Sequence, residues 1–125
     1  MHPQEIVEAY LDAIARHDVD AARGYLADVG FRYESPLAAF DSADAFMEYN
    51  ALNMGILQGI DRVKTFVDGQ DVCTLLVLSI QISEKERVKA VNWCQVEGGR
   101  IRRMEVLFDT RIYQTLFEPH RDVGV

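Results

Sequence analysis

Tyr10 shares a helical stripe with Ile6, Val7, Leu11 and Ile14, so a phenol hydroxyl sits on a face that otherwise buries hydrocarbon. A buried polar tip needs a partner, which either a backbone group or a ligand-admitting cavity can supply. Asn92 poses the same question from inside a strand-like apolar run, where its amide can donate as well as accept. Asp109 follows Phe108 at the end of the last apolar run. At a partly apolar pocket mouth, desolvation would raise its pKa and make it a proton shuttle. The competing roles for it are a salt bridge with Arg111 or a cap for a short helix over Ile112 to Phe117. Ser35 is no base by itself, and His2, His17 and His120 are scattered rather than linked to it by any motif.

The 125 residues suit one domain, 1–125, with 49% hydrophobic and 26% charged residues in the ordinary range for a globular chain. Nothing approaches the roughly 18 consecutive apolar residues of a membrane span, and Met1-His2-Pro3 does not begin a secretory signal, so a cytoplasmic location without membrane contact is expected. A net charge of −7 argues against nucleic acid, whose binding rests on Lys and Arg clusters. Arg100, Arg102, Arg103 and Arg111 gather near the end, but strand alternation splits them between faces and reads as a solvated edge. Cys73 and Cys94 lie in apolar runs without metal-ligand spacing and read as reduced thiols. No metal site is expected, and no phosphate-binding glycine motif points to a cofactor.

Several elements must position these groups. Pro3 and Glu5 suit the start of a helix running to about Arg16, and Asp18 can cap a second through Leu26. Phe31 to Ser35 reads as a short or edge strand stopped by Pro36. Ser42 can cap a third helix to about Leu57, whose Phe46, Tyr49, Leu52, Met54 and Leu57 form no clean stripe, as in a helix that lines something. Four strands follow over Arg62–Val67, Val72–Ile82, Val88–Val96 and Ile101–Phe108, joined by short turns that make them antiparallel. The second of these is apolar on both faces, with Leu76, Leu78 and Ile80 on one and Cys73, Leu75 and Val77 on the other. Three helices cover one face, and a second subunit is the economical cover for the other.

This order resembles the nuclear transport factor 2-like superfamily, in its SnoaL-like and ketosteroid-isomerase-like branches. The stretches that carry the likeness are Ile6 to Leu11 with His17 to Asp20, Tyr33-Glu34-Ser35-Pro36, and Gly98 to Ile101 through Val106 to Asp109. The resemblance implies an α+β fold: a cone-shaped, strongly curved, mostly antiparallel sheet that encloses a pocket with three helices from the N-terminal half. It places Tyr10 on an oxyanion-hole tyrosine, Ser35 where the isomerases keep their general base, and Asn92 where they keep a protonated acid. These last two departures argue against steroid isomerisation, while Tyr10 and Asn92 could still polarise a carbonyl. The SnoaL-like pattern implies an acid or base role for Asp109. Ala90 and Asn92 do not supply the Arg-x-Asp element of limonene-epoxide-hydrolase-like chemistry.

Catalysis is thus expected from Asp109, Tyr10 and Asn92, and substrate contact from Tyr33, Ser35, Tyr49, Asn53, Leu76, Leu78 and Phe108. Val91 and Trp93 should face outward, where a homodimer partner would cover them. Two functions fit: a cofactor-free isomerase, cyclase or lyase moving protons on an apolar oxygenated metabolite, or a non-catalytic ligand-binding or dimerisation module.

Overall fold

The computed structural model describes residues 1–111. The helix proposed for Ile112 to Phe117 lies outside the described residues.

Helix α1 spans Pro3–Ala15, with the His2 backbone N–H donating to Glu5 Oε1 at 2.9 Å. Its stripe of Ile6, Val7, Tyr10, Leu11 and Ile14 is buried. His17, at a φ of 60°, turns the chain into α2 (Val19–Gly24). Asp18 accepts from Ala21 N at 3.1 Å there, a capping bond of the kind whose loss costs about 1 kcal/mol. The short β1 (Arg32–Glu34) and β2 (Ala39–Phe40) precede α3 (Ala43–Met54), which Ser42 caps through Ala45 N. A long meander completes the sheet: β3 (Leu57–Asp68), β4 (Asp71–Gln81), β5 (Lys85–Glu97) and β6 (Arg100–Phe108). Gly98 and Gly99 take positive φ in the tight turn between β5 and β6.

The six strands lie in the order β2-β1-β6-β5-β4-β3, antiparallel except where β1 runs parallel to β6. The fold is therefore α+β, around an open sheet edged by β2 and β3. Register shifts at Leu57/Gly59 and Arg62/Lys64 in β3 and at Gln95/Val96 in β5 mark bulges, which bend and twist a sheet. Helix α1 packs across the inner face of β3 to β6, and α3 packs against β1, β2 and α2. The core lies between, with Val72, Cys94 and Ile101 wholly excluded from solvent.

Several boundaries differ from the sequence expectation, among them the start of β5 at Lys85 rather than Val88. The second helix stops at Gly24 because Leu26 is taken into a parallel bridge with Ile101, fixed by Ala27 N to Ile101 O at 2.9 Å and Ile101 N to Tyr25 O at 2.8 Å. The third helix ends at Met54 rather than Leu57, and β3 starts at Leu57 rather than Arg62, because Leu57, Gly59 and Ile60 pair with Ile80, Ser79 and Leu78 of β4. Strand β2 was not expected, and two residues offer no alternation to read.

Candidate functional site

A cavity of about 300 Å3 opens between α1, α3, β1 and the inner sheet face, at the lower end of the roughly 300–1,000 Å3 usual for small-molecule sites. Its wall brings together Tyr10, Asn92, Tyr33, Ser35, Tyr49, Asn53, Leu76, Leu78 and Phe108. Strand pairing explains much of this convergence. Thr74, Leu76 and Leu78 of β4 stand opposite Asn92, Ala90 and Val88 of β5 on the same inward face. Phe46 stacks on Tyr33 with ring centroids 4.2 Å apart, so it belongs to the wall instead of plugging the space.

At the buried end, Tyr10 and Asn92 are 3% and 4% exposed, so whatever they bond must come from the interior. The Cys94 thiol donates to Asn92 Oδ1 at 2.8 Å, which leaves the amide nitrogen of Asn92 for the cavity. Burial pushes the Tyr10 phenol well above its ordinary pKa, with smaller contributions from Cys94 and Tyr33, so it stays a protonated donor. Burial likewise pushes the Cys94 thiol far up, and it is inert as a nucleophile. Beside this group, the Thr74 hydroxyl is buried without a hydrogen-bond partner.

Ser35 touches the cavity, yet its oxygen is occupied by the turn that follows. It accepts from Leu37 N and Ala38 N, both at 3.2 Å, and lies 3.4 Å from Ala38 O. Leu37, 48% exposed, is carried by that turn to the rim. Among the described residues the lining contains no Asp, Glu, Lys, Arg or His.

Asp109 is the expected site residue that the cavity leaves out. It lies exposed just beyond β6 and accepts from the Arg111 guanidinium and backbone N–H at 3.0 Å. The side-chain bond to Arg111, helped by the backbone bond, lowers its pKa to about 2, the reverse of the rise expected from desolvation. The salt bridge named above as its competing role is the arrangement found. A period-two reading could have found this, because Phe108 faces the cavity and the next residue on an extended chain points away. Sequence reasoning also passed over Asn50, which lines the cavity with Phe46, Tyr49, Asn53 and Met54 at helical spacing.

Val91 and Trp93 lie on the opposite face, where Trp93 donates to Asp71 Oδ1 at 3.1 Å and the Arg103 guanidinium sits over its ring. The clustered arginines face carboxylates: Arg100 meets Asp28 at 2.9 Å, Arg102 meets Glu97 at 2.6 Å, and Arg103 lies near Glu34 and Glu105. Among the described residues no three metal-ligating side chains converge, and no helix is long and apolar enough to cross a membrane.

The model of the SnoaL-like domain matches residues 7–104, most of the chain. The chain belongs to the SnoaL-like domain family. Solved structures agree that this SnoaL-like domain has the nuclear transport factor 2-like fold. A nuclear transport factor 2-like protein of unknown function from Cytophaga hutchinsonii is 21% identical, with 94% of this chain and 96% of that one covered at a TM-score of 0.78. An LEH-like epoxide hydrolase from M. tuberculosis is 20% identical, with 96% and 90% covered at 0.75. A hypothetical protein with a ketosteroid isomerase-like fold from Catenulispora acidiphila, in complex with trimethylamine, is 17% identical, with 85% of each chain covered at 0.73. No curated protein matches this SnoaL-like domain.

Proposed function

We propose that this SnoaL-like domain binds a neutral, mainly apolar metabolite, whose carbonyl oxygen is held by the Tyr10 hydroxyl and the Asn92 amide. The observation that carries this reading is the pairing of two buried neutral donors in a wall without charged residues among those described. Burying an ionised ligand there would cost several kcal/mol or more without a counter-charge. An oxygen acceptor meets two donors instead, each worth about 0.5–1.5 kcal/mol net. Epoxide hydrolysis on the pattern of the M. tuberculosis neighbour has no support from this wall, where β5 presents Ala90 and Asn92. An amine such as the one in the Catenulispora neighbour would find ring faces and no carboxylate among the described residues.

The placement of Asp109 favours binding over proton transfer, since its carboxylate is tied to Arg111 outside the wall. Native mass spectrometry of freshly purified protein tests the binding reading. A retained neutral molecule that is lost in Tyr10→Phe supports it, and a retained anion overturns it.

We also propose that a second copy covers the outer sheet face. Phe66, Trp93 and Leu107 are 54%, 37% and 51% exposed, on the face that α1 does not cover. Sedimentation of wild type against Trp93→Glu tests this, because a monomeric wild type or an undisturbed dimer in the variant would sink the assignment.

A further inference from the structure

The inward stripe of α3 is unusual in its chemistry. Phe46, Tyr49, Asn50, Asn53 and Met54 follow the i, i+3, i+4, i+7, i+8 spacing of a core-facing helix, and all five line the cavity. Leu52, a residue that would serve such a stripe, is 81% exposed on the other side. Two carboxamides therefore stand where an ordinary packed helix carries aliphatic groups. Asn53 uses its amide nitrogen on the Tyr49 carbonyl at 3.1 Å, so its Oδ1 is left as an acceptor. Asn50 makes no side-chain hydrogen bond among the described residues, and its amide offers both a donor and an acceptor. Both residues are half-buried, in contrast to the fully buried Tyr10 and Asn92.

We infer that Asn50 and Asn53 form a second polar subsite of the cavity, which takes a hydroxyl at the end of the ligand away from its carbonyl. This rests on the carbonyl reading above and extends it to a two-ended molecule with an apolar middle. A hydroxyl fits both amides at once, because it donates to Asn53 Oδ1 and accepts from Asn50 Nδ2. An ether or second carbonyl could accept from the amide nitrogens but would leave both Oδ1 acceptors unused, and a hydrocarbon end would leave all of these groups without a ligand partner. The apolar middle is supplied by Leu76, Leu78 and Val106, which line the sheet side of the same space.

The test uses two matched probes, an acetylnaphthalene and the same ketone with a hydroxyl on its far ring, titrated by fluorescence and calorimetry. Wild type should bind the hydroxylated ketone about tenfold more tightly, the scale of one or two net hydrogen bonds. In Asn50→Leu and Asn53→Leu that preference should fall to about twofold or less, with thermal melts by circular dichroism reporting an intact fold. Tyr10→Phe should weaken both probes equally and preserve their ratio. Equal binding of the two probes by wild type, or a preference that survives both leucine substitutions, overturns the second subsite alone. Failure of both probes to bind wild type overturns the carbonyl reading and this inference with it.

Discussion

Alternate residues of β5 meet two different environments. Val88, Ala90, Asn92, Cys94 and Val96 are buried beneath the helices, while Lys89 and Trp93 are exposed on the opposite face and Val91 and Gln95 are half-buried there. Both faces of the neighbouring β4 are apolar, so hydrophobicity alone does not separate core from surface. The polar groups do. On the inner face they are neutral and buried: Tyr10 and Asn92, which line the cavity, and the orphan Thr74 hydroxyl. On the outer face they are charged or paired with charge, as in Trp93 with Asp71 and Arg103 with Glu105. One face has hydrogen-bonding capacity to offer a ligand, and the other has apolar area to offer a protein.

The sharpest way to break this contrast is truncation at two positions of β6. Ile101 is wholly buried on the inner side, and Ile101→Ala should cost about 2–5 kcal/mol in denaturant melts. Leu107→Ala, half-exposed on the outer side, should cost about 0.5 kcal/mol or less at protein concentrations low enough to dissociate any oligomer. A larger loss in the dissociated chain would mean that something within the chain already covers that face.

Next in size is Tyr10→Phe, expected to weaken a carbonyl ligand about tenfold with no loss of melting temperature, since the hydroxyl bonds to no described protein group. Because burial raises the phenol's pKa, affinity should be flat between about pH 5 and about pH 9. The sign for stability follows from the same shift. A phenol with a raised folded-state pKa contributes fully below its unfolded value near 10.0 and loses that contribution as the pH climbs past it. Wild type should therefore lose stability above about pH 10 more steeply than Tyr10→Phe. A sloped affinity near neutral pH would point to an ionisable group in the site.

Thr74→Val tests the inner face at a finer scale. The substitution keeps the shape and removes a hydroxyl that is buried without a partner, so a stabilisation of about 1 kcal/mol is expected. A destabilisation of that size would reveal a bridging water or ligand at Thr74, and calorimetry with the acetylnaphthalene probes would tell which.

Much of this contrast was legible in the residues. The stripe of α1, the caps at Asp18 and Ser42 and the alternation of β4 and β5 are local patterns, and they place Tyr10 and Asn92 inward and Trp93 outward. The passage from α3 to β3 was less legible, because pairing of Leu57 and Ile60 with β4 overrides any local tendency to continue the helix. The amides of α3 hid its inward stripe by lowering its hydrophobic contrast, though Asn50 and Asn53 sit at the right spacing beside Phe46 and Met54. Asp109 was misplaced for a different reason: a resemblance carried it into the cavity against the alternation that already assigned Phe108 there.

Asp109→Asn should have the smallest effect of the series. The carboxylate is exposed, it faces Arg111, and its pKa of about 2 keeps it ionised throughout the physiological range. Exposed pairs of this kind contribute little, so stability should be almost unchanged and ligand affinity should shift by less than about twofold. The sign of any pH effect is also fixed. With a depressed folded-state pKa, whatever the pair contributes is present above about pH 4 and disappears as the pH falls towards 2, far below neutrality. A steep loss of ligand binding in Asp109→Asn at neutral pH would mean that the carboxylate reaches the cavity when the ligand is bound. That result would restore proton transfer as the work of the inner face and end the division of labour drawn between the two sides of the sheet.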